Sequence, residues 1–351
     1  MSEKQHKGVA TLSQLAEFDE IIDVRSPAEY AEDHLPRASN CPVLSNEERV
    51  RVGTLYKQVS AFEAKKVGAA IVSRHIGEHI EAHFLDKPKT WRPLVYCWRG
   101  GKRSGAFTHI LREIGWDAHR LDGGYKTWRR HVVEQIEILP AKFDYRVISG
   151  ATGNAKSRVL EALAERGAQT LHLEALAAHK GSVLGALPNV QQPTQRMFET
   201  NLFRAISALD PNRPVYVEAE SRRIGAIHLP DAILAGIRAA PCIRLEATRQ
   251  ARVDFLLRDY DLPIATPAWL AEKIMHLKGL QSDETLEEWQ ALIAAGDFRK
   301  LCDELLENHY DPLYQRSQSK NYSGYAAATS LTTEDLSEAG IGRLADDILN
   351  F

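Results

Sequence analysis

Pro93-Leu94-Val95-Tyr96-Cys97-Trp98-Arg99-Gly100-Gly101-Lys102-Arg103-Ser104 joins a short apolar run to a loop rich in glycine and positive charge. The run reads as a buried strand, and Gly105 to Ile114, closed by Gly115, as the helix that follows. A loop that turns into a helix N-terminus points backbone N–H groups inward and stabilises an anion there. That field, with Arg99, Lys102 and Arg103 nearby, favours Cys97 as a thiolate. A thiolate so placed can attack electrophilic sulfur, selenium or phosphorus and hold a covalent adduct.

Outward from this stretch, strands and helices alternate. Glu20 to Val24 reads as a strand, Pro27 to Asp33 as a proline-started helix, and Asp122-Gly123-Gly124-Tyr125 as a turn into a helix around Trp128. This alternation predicts an α/β domain with a mainly parallel sheet. A second such unit begins after Leu139-Pro140: a strand from Tyr145 to Ser149, a loop from Gly150 to Ala155, and a helix from Lys156 to Arg166 stopped by Gly167. Further strands are expected at Pro214 to Glu218 and Cys242 to Glu246, with mostly helix and no further strand from about Thr248 onward. The expected domains are residues 1–138 and 139–351.

Gly150-Ala151-Thr152-Gly153-Asn154-Ala155-Lys156-Ser157 has the spacing of a phosphate-binding G-x-x-x-x-G-K-S loop, with Ala155 in place of the second glycine. Its N–H groups, over Gly150, Thr152 and Gly153, would cradle a di- or triphosphate. Lys156 would act as point charge and Ser157 as a ligand for Mg²⁺, where that ion binds. Glu218, at the end of its strand, suits an acidic partner to Mg²⁺ or water, or equally a solvated strand-end carboxylate. Arg222 and Arg223 could face a phosphate or simply solvent. Arg249, Arg252 and Arg258, on an expected helix, read as surface residues.

Composition narrows the classes. The 351 residues, 44% hydrophobic and 26% charged, exclude a disordered or fibrous chain. No apolar run approaches membrane-spanning length, and the first residues lack the apolar stretch of a signal peptide. Four scattered cysteines suit neither a disulfide framework nor a zinc cage, so no metal centre is expected and the protein reads as cytoplasmic and reduced. The net charge of −3 neither indicates nor excludes RNA.

Ile21-Ile22-Asp23-Val24-Arg25-Ser26-Pro27-Ala28-Glu29-Tyr30, His34-Leu35-Pro36-Arg37-Ala38 and Leu121-Asp122-Gly123-Gly124-Tyr125-Lys126-Thr127-Trp128 resemble the two signatures of rhodanese-like domains over about residues 8 to 138. The resemblance makes Cys97 the sulfur- or selenium-carrying nucleophile and gives Asp23 and Arg25 a bracing role. Sulfur-transferring rhodaneses usually have a six-residue loop, whereas Cys97 to Arg103 spans seven residues, as in rhodanese-like phosphatases. The wider loop leaves room for a tetrahedral oxyanion, hence a phosphate-bearing donor.

Rhodanese-like and P-loop NTPase-like halves in this order, with Val52-Gly53-Thr54-Leu55-Tyr56-Lys57, Glu220-Ser221-Arg222-Arg223-Ile224-Gly225 and Tyr310-Asp311-Pro312-Leu313-Tyr314, resemble the tRNA 2-selenouridine synthase family from about Ile21 to Tyr314. Ala155 departs from that family's usual glycine and Lys180 from its usual arginine. The resemblance implies replacement of the 2-thio sulfur of a tRNA wobble uridine by selenium from selenophosphate. It also implies S-geranylation from geranyl diphosphate, with no tightly bound cofactor. Cys97 would receive the selenium and Gly150 to Ser157 would hold the diphosphate, with Arg222, Arg223 and the basic loop as the first RNA contacts. The alternatives are a rhodanese-like phosphatase or sulfurtransferase with a regulatory P-loop domain, a nucleotide-gated scaffold and, more weakly, a small-molecule kinase.

Overall fold

A computed structural model describes residues 8–182, 184–259, 266–314 and 321–351. The chain divides into two compact units, Met1–Glu134 and Gln135–Phe351. The division falls within the helix Gly124–Ile138, a few residues before the expected linker.

The first unit is built on five parallel strands: β1 (Val9–Ala10), β2 (Glu20–Asp23), β3 (Ala38–Asn40), β4 (Pro93–Tyr96) and β5 (His119–Leu121), in the order β1-β5-β4-β2-β3. All four residues of β4 are buried, as a strand covered on both faces requires. Helix α1 (Pro27–Glu32) opens with a Ser26/Glu29 capping box and Pro27 in its first turn. Two helices the sequence reading leaves unassigned, α2 (Asn46–Gln58) and α3 (Ala61–His83), fill the connection between β3 and β4. Ala64, Ile71, Val72 and Ile76 form the buried stripe of α3, and the last three share a core with Phe107 and Leu111 of α4 (Lys102–Ile114). Gly115 ends α4 in the left-handed conformation. The remaining helix, α5 (Gly124–Ile138), follows the Asp122-Gly123 turn.

The second unit holds β6 (Tyr145–Ser149), α6 (Lys156–Glu165), β7 (Gln169–Leu171), α7 (Leu173–Leu176), α8 (Gln195–Ser207), β8 (Val215–Glu218), the hairpin β9 (Arg223–Ile224) and β10 (Ile227–His228), α9 (Asp231–Ala239), β11 (Pro241–Ala247), α10 (Arg249–Asp259) and β12 (Gly324–Thr333). Its sheet is again parallel, ordered β12-β11-β6-β8-β7. Alternation along the strands separates two cores. Val147, Val215, Val217 and Cys242 face α8 and α9, whereas Ile148, Tyr216, Ile243 and Leu245 face α6, α10 and the C-terminal helix Glu338–Leu349. Among the described residues between α10 and β12 the C-terminal part is mostly helical, around Trp289, Ile293, Leu301 and Leu305.

The expectation of no strand after Thr248 is corrected by β12. Ten residues of mostly alanine, serine and threonine carry no run of large apolar residues and no alternation of buried and exposed positions, because β12 is an edge strand with no fully buried residue. It is held by backbone pairing to β11 and by the Arg244 guanidinium donating to Ser330 Oγ at 2.8 Å. No described helix is long and apolar enough to cross a membrane.

Candidate active site

Each sheet carries one candidate loop at the carboxyl end of a strand where chain connections diverge to either side, the usual place for a ligand in open parallel sheets. In the first unit that strand is β4. Cys97 is buried, and its Sγ accepts a hydrogen bond from Ser104 Oγ at 3.2 Å. The loop is closed from behind by the Asp122-Gly123-Gly124-Tyr125 turn: Tyr125 N donates to the Cys97 carbonyl and Lys126 N to that of Trp98, both at 2.9 Å. A Cβ on Gly124 would stand 2.2 Å from the Cys97 carbonyl oxygen and 2.4 Å from Gly100 N, so only glycine lets the two segments meet.

Beneath the loop, Arg25 is fully buried and forks onto Asp23, donates to the Asp33 carbonyl, and lies 4.0 Å from the Tyr125 ring centroid. Tyr125 OH in turn donates to Asp33 at 2.8 Å. This is bracing geometry, with the Arg25 charge spent on its partners. Of the expected anion-binding cations, Arg99 and Lys102 are exposed, while Arg103 pairs with Glu29 at 2.7 Å. Burial pushes the Glu29 carboxyl up, but Arg103 and Arg49 more than offset it and hold it below its usual range. Gly100 and Gly101 lead into α4, with Gly101 as its N-cap.

In the second unit the strand is β6, and the P-loop follows it directly. Lys156 Nζ donates to the Gly150 carbonyl at 2.9 Å, and Ser157 Oγ donates to Glu174 Oε2 at 2.8 Å. Asn154 ties the loop internally and to β11, donating to the Ala151 carbonyl at 3.0 Å and accepting from Ala247 N at 2.6 Å. Gly153, at φ +86°, lets α10 approach: a Cβ would meet Arg252 and Leu256 at 3.2 Å.

Ala155 occupies the left-handed region at φ 55°, ψ 26°, where a glycine costs nothing. Relief of about 1–2 kcal/mol of left-handed strain is set against loss of a buried methyl, about 0.8 kcal/mol, and the added freedom of an unfolded glycine. Ala155→Gly is therefore expected to stay within about 0.5 kcal/mol of wild type, whereas Ala155→Val, β-branched at positive φ, loses more than about 2 kcal/mol. Urea denaturation of the three proteins checks this.

Glu218 is not a solvated strand-end carboxylate. It is fully buried, accepts from Glu174 N at 2.8 Å through Oε1, and leaves Oε2 without a hydrogen bond. Burial pushes its carboxyl up to about 8. Glu220, also buried, is raised by burial and by the neighbouring Glu174 and Glu218 carboxylates. Because folded Glu218 keeps its proton until about pH 8 while the unfolded chain releases it near 4.5, its contribution to stability is complete below pH 4.5 and lost as pH rises to 8. Glu218→Gln should flatten the fall in unfolding free energy between pH 5 and 9 by a few kcal/mol, on the order of the linkage expected for such a shift. An unchanged slope in urea titrations would mean that Glu218 ionises normally.

Arg252, expected at the surface, is buried. It donates to the Thr152 carbonyl at 2.9 Å and forks onto Asp311 at 2.6 and 3.0 Å, fastening the P-loop to the helical C-terminal part. Arg249 pairs with Asp303 and Glu307, and Arg258 donates to the Leu336 carbonyl. Arg222 and Arg223 are exposed on and beside the β9–β10 hairpin, Arg222 paired with Asp231 at 2.7 Å and Arg223 donating to the Gly225 carbonyl.

Two clefts adjoin the P-loop. One begins at Thr152 and is apolar, walled by Leu256, Trp269, Phe298, Leu305 and Leu306, with about 640 Å³ between its walls including the part open to solvent. The sequence reading missed it, as it missed Glu174 and Glu220, because its residues come from helices whose apolar positions read as ordinary core.

Two family models match the chain: the rhodanese-like domain over residues 8–131 and the tRNA 2-selenouridine synthase AAA domain over residues 143–273. Among curated proteins, a tRNA 2-selenouridine synthase from Alcanivorax borkumensis is 32% identical over 86% of this chain and 90% of its own length. One from Nitrosomonas europaea is 37% identical over 72% of this chain, and one from Bdellovibrio bacteriovorus 36% over 69%. These last two alignments cover 66% and 64% of the relatives, just under two thirds of their length.

Proposed function

Because the chain belongs to the tRNA 2-selenouridine synthase family, we propose that it replaces the 2-thio sulfur of a tRNA wobble uridine with selenium from selenophosphate, by way of an S-geranyl intermediate made from geranyl diphosphate. The observation that carries the geranyl step is the apolar cleft starting at Thr152 of the P-loop. A donor with a diphosphate head and a hydrocarbon tail needs this adjacency of a phosphate-binding loop and an apolar wall.

In the first step the uridine sulfur attacks C1 of the geranyl group. The S–C1 bond forms, the C1–O bond breaks with its electron pair leaving on diphosphate, and the uridine gives up its N3 proton. Backbone N–H groups of the P-loop and Lys156 stabilise the departing charge. Among the described residues no group of three or more His, Cys, Asp or Glu forms a metal cage. Ser157 and Glu174 are the oxygens that would hold a Mg²⁺ arriving with the diphosphate, which would neutralise charge there.

The second step belongs to the Cys97 loop. Thiolate sulfur and the selenium of selenophosphate are both fully reduced, so joining them would need an oxidation balanced by reduction of phosphorus. Attack of the Cys97 thiolate at phosphorus is redox-neutral: an S–P bond forms and the Se–P bond breaks, leaving selenide. Selenide adds at C2 of the geranylated uridine, geranylthiol leaves with a proton, and water releases phosphate from Cys97. The seven-residue loop provides room for that tetrahedral group.

Mass spectrometry of the wobble nucleoside tests the reading. The purified protein is incubated with 2-thiouridine tRNA, geranyl diphosphate and selenophosphate, each donor omitted in turn. A geranyl adduct that becomes selenouridine only with selenophosphate is expected. An unchanged nucleoside from folded protein would favour the phosphatase or sulfurtransferase alternative.

A further inference from the structure

The second cleft lies along the P-loop at Gly150 and Ala151, with a cavity volume of about 210 Å³, and has a different chemistry from the first. Arg244, Glu246, Tyr314 and Tyr325 contribute to its walls. The Tyr314 and Tyr325 rings meet edge to face with centroids 6.5 Å apart, and the Arg244 guanidinium sits 5.5 Å from the Tyr325 ring centroid. Arg244 is pinned by Ser330 and by Glu246 at 2.8 Å, so the cleft combines aromatic rings with a fixed donor and a carboxylate.

Aromatic rings and a guanidinium plane beside hydrogen-bonding groups are the means by which proteins hold an unstacked nucleobase. We propose that this cleft binds the base of the acceptor RNA, presenting its C2 edge to the P-loop. The assignment rests on the proposed function for one point: with the P-loop holding the donor diphosphate, a base attached to RNA can enter the cleft without competing for that loop, as a free nucleotide's phosphates would. The lipophilic tail would then leave the loop at Thr152 and the acceptor base approach at Gly150 and Ala151.

The test uses the full chain and no catalysis. Fluorescence anisotropy compares an anticodon stem-loop carrying wobble 2-thiouridine with the same RNA abasic at that position. Wild type should prefer the base-bearing RNA about tenfold, the size of one base–aromatic stack. Tyr325→Leu should remove that preference while leaving abasic affinity unchanged. Arg244→Gln, which keeps a planar hydrogen-bonding side chain on β11, should weaken the preference and serves if the tyrosine variant does not fold.

Equal binding of the two RNAs by wild type, or equal loss for both in the variants, would overturn the proposal. ATP binding that Tyr325→Leu weakens and geranyl diphosphate displaces would assign the cleft to a free nucleotide and overturn it as well. Geranyl diphosphate affinity, measured separately, distinguishes failure of this site from failure of the donor reading: retained donor binding without base preference removes only the base cleft.

Discussion

Cys97→Ala is expected to lose selenium incorporation by on the order of 10³-fold or more, the scale of removing a covalent nucleophile, while converting 2-thiouridine to its S-geranyl form at the wild-type rate. The variant should fold, because Ser104 Oγ keeps a second acceptor in the Gly101 carbonyl at 3.4 Å. Nucleoside mass spectrometry with both donors present would therefore show geranylated tRNA accumulating. Equal loss of both products in folded protein would refute the division of labour between the two loops. In wild type the phosphorus product should be phosphate. Phosphite in the ³¹P NMR spectrum would mean that selenium joined the Cys97 sulfur directly, with phosphorus reduced.

Lys156→Ala should give the converse pattern. Removing the ammonium withdraws both the charge proposed to face the diphosphate and the 2.9 Å hydrogen bond that ties the loop to the Gly150 carbonyl. A drop of about 10²-fold in kcat/KM for geranyl diphosphate is expected, the size of losing one charged group at a developing anion. Selenation of RNA supplied already geranylated should proceed unchanged. Normal geranylation kinetics in this variant would remove the P-loop from the first step.

Both loops were legible in the sequence because each is bounded by local chemistry. An apolar strand stops at Cys97 or Gly150, glycines mark the turn, and a helix begins at Lys102 or Lys156. What was illegible depends on long-range partners. Arg252 on α10 reads as solvent-facing until Asp311, 59 residues later, is placed against it. Glu174 and Glu220 acquire meaning only when β7 and β8 lie side by side and bring Glu174 to Ser157 and Glu220 beside Glu174 and Glu218. Strand β12 is invisible for a related reason: its small polar residues are strand only by virtue of β11. In the α2–α3 pair α2 has no buried residue and the stripe of α3 is only Ala64, Ile71, Val72 and Ile76, so the periodicity is diluted over a long polar stretch.

The Arg252–Asp311 fork also sets the smallest piece of this chain that can work alone. The AAA-domain match ends at residue 273, yet the carboxylate that neutralises a guanidinium under the P-loop stands at 311 and the outermost strand runs to Thr333. A fragment trimmed to the match would leave Arg252 buried and unpaired, at a cost of about 3–5 kcal/mol, and would bare the β11 edge to other chains. The region past residue 273 is thus structural support for the P-loop, and a soluble second half has to be cut to include the C-terminal helix that ends at Leu349.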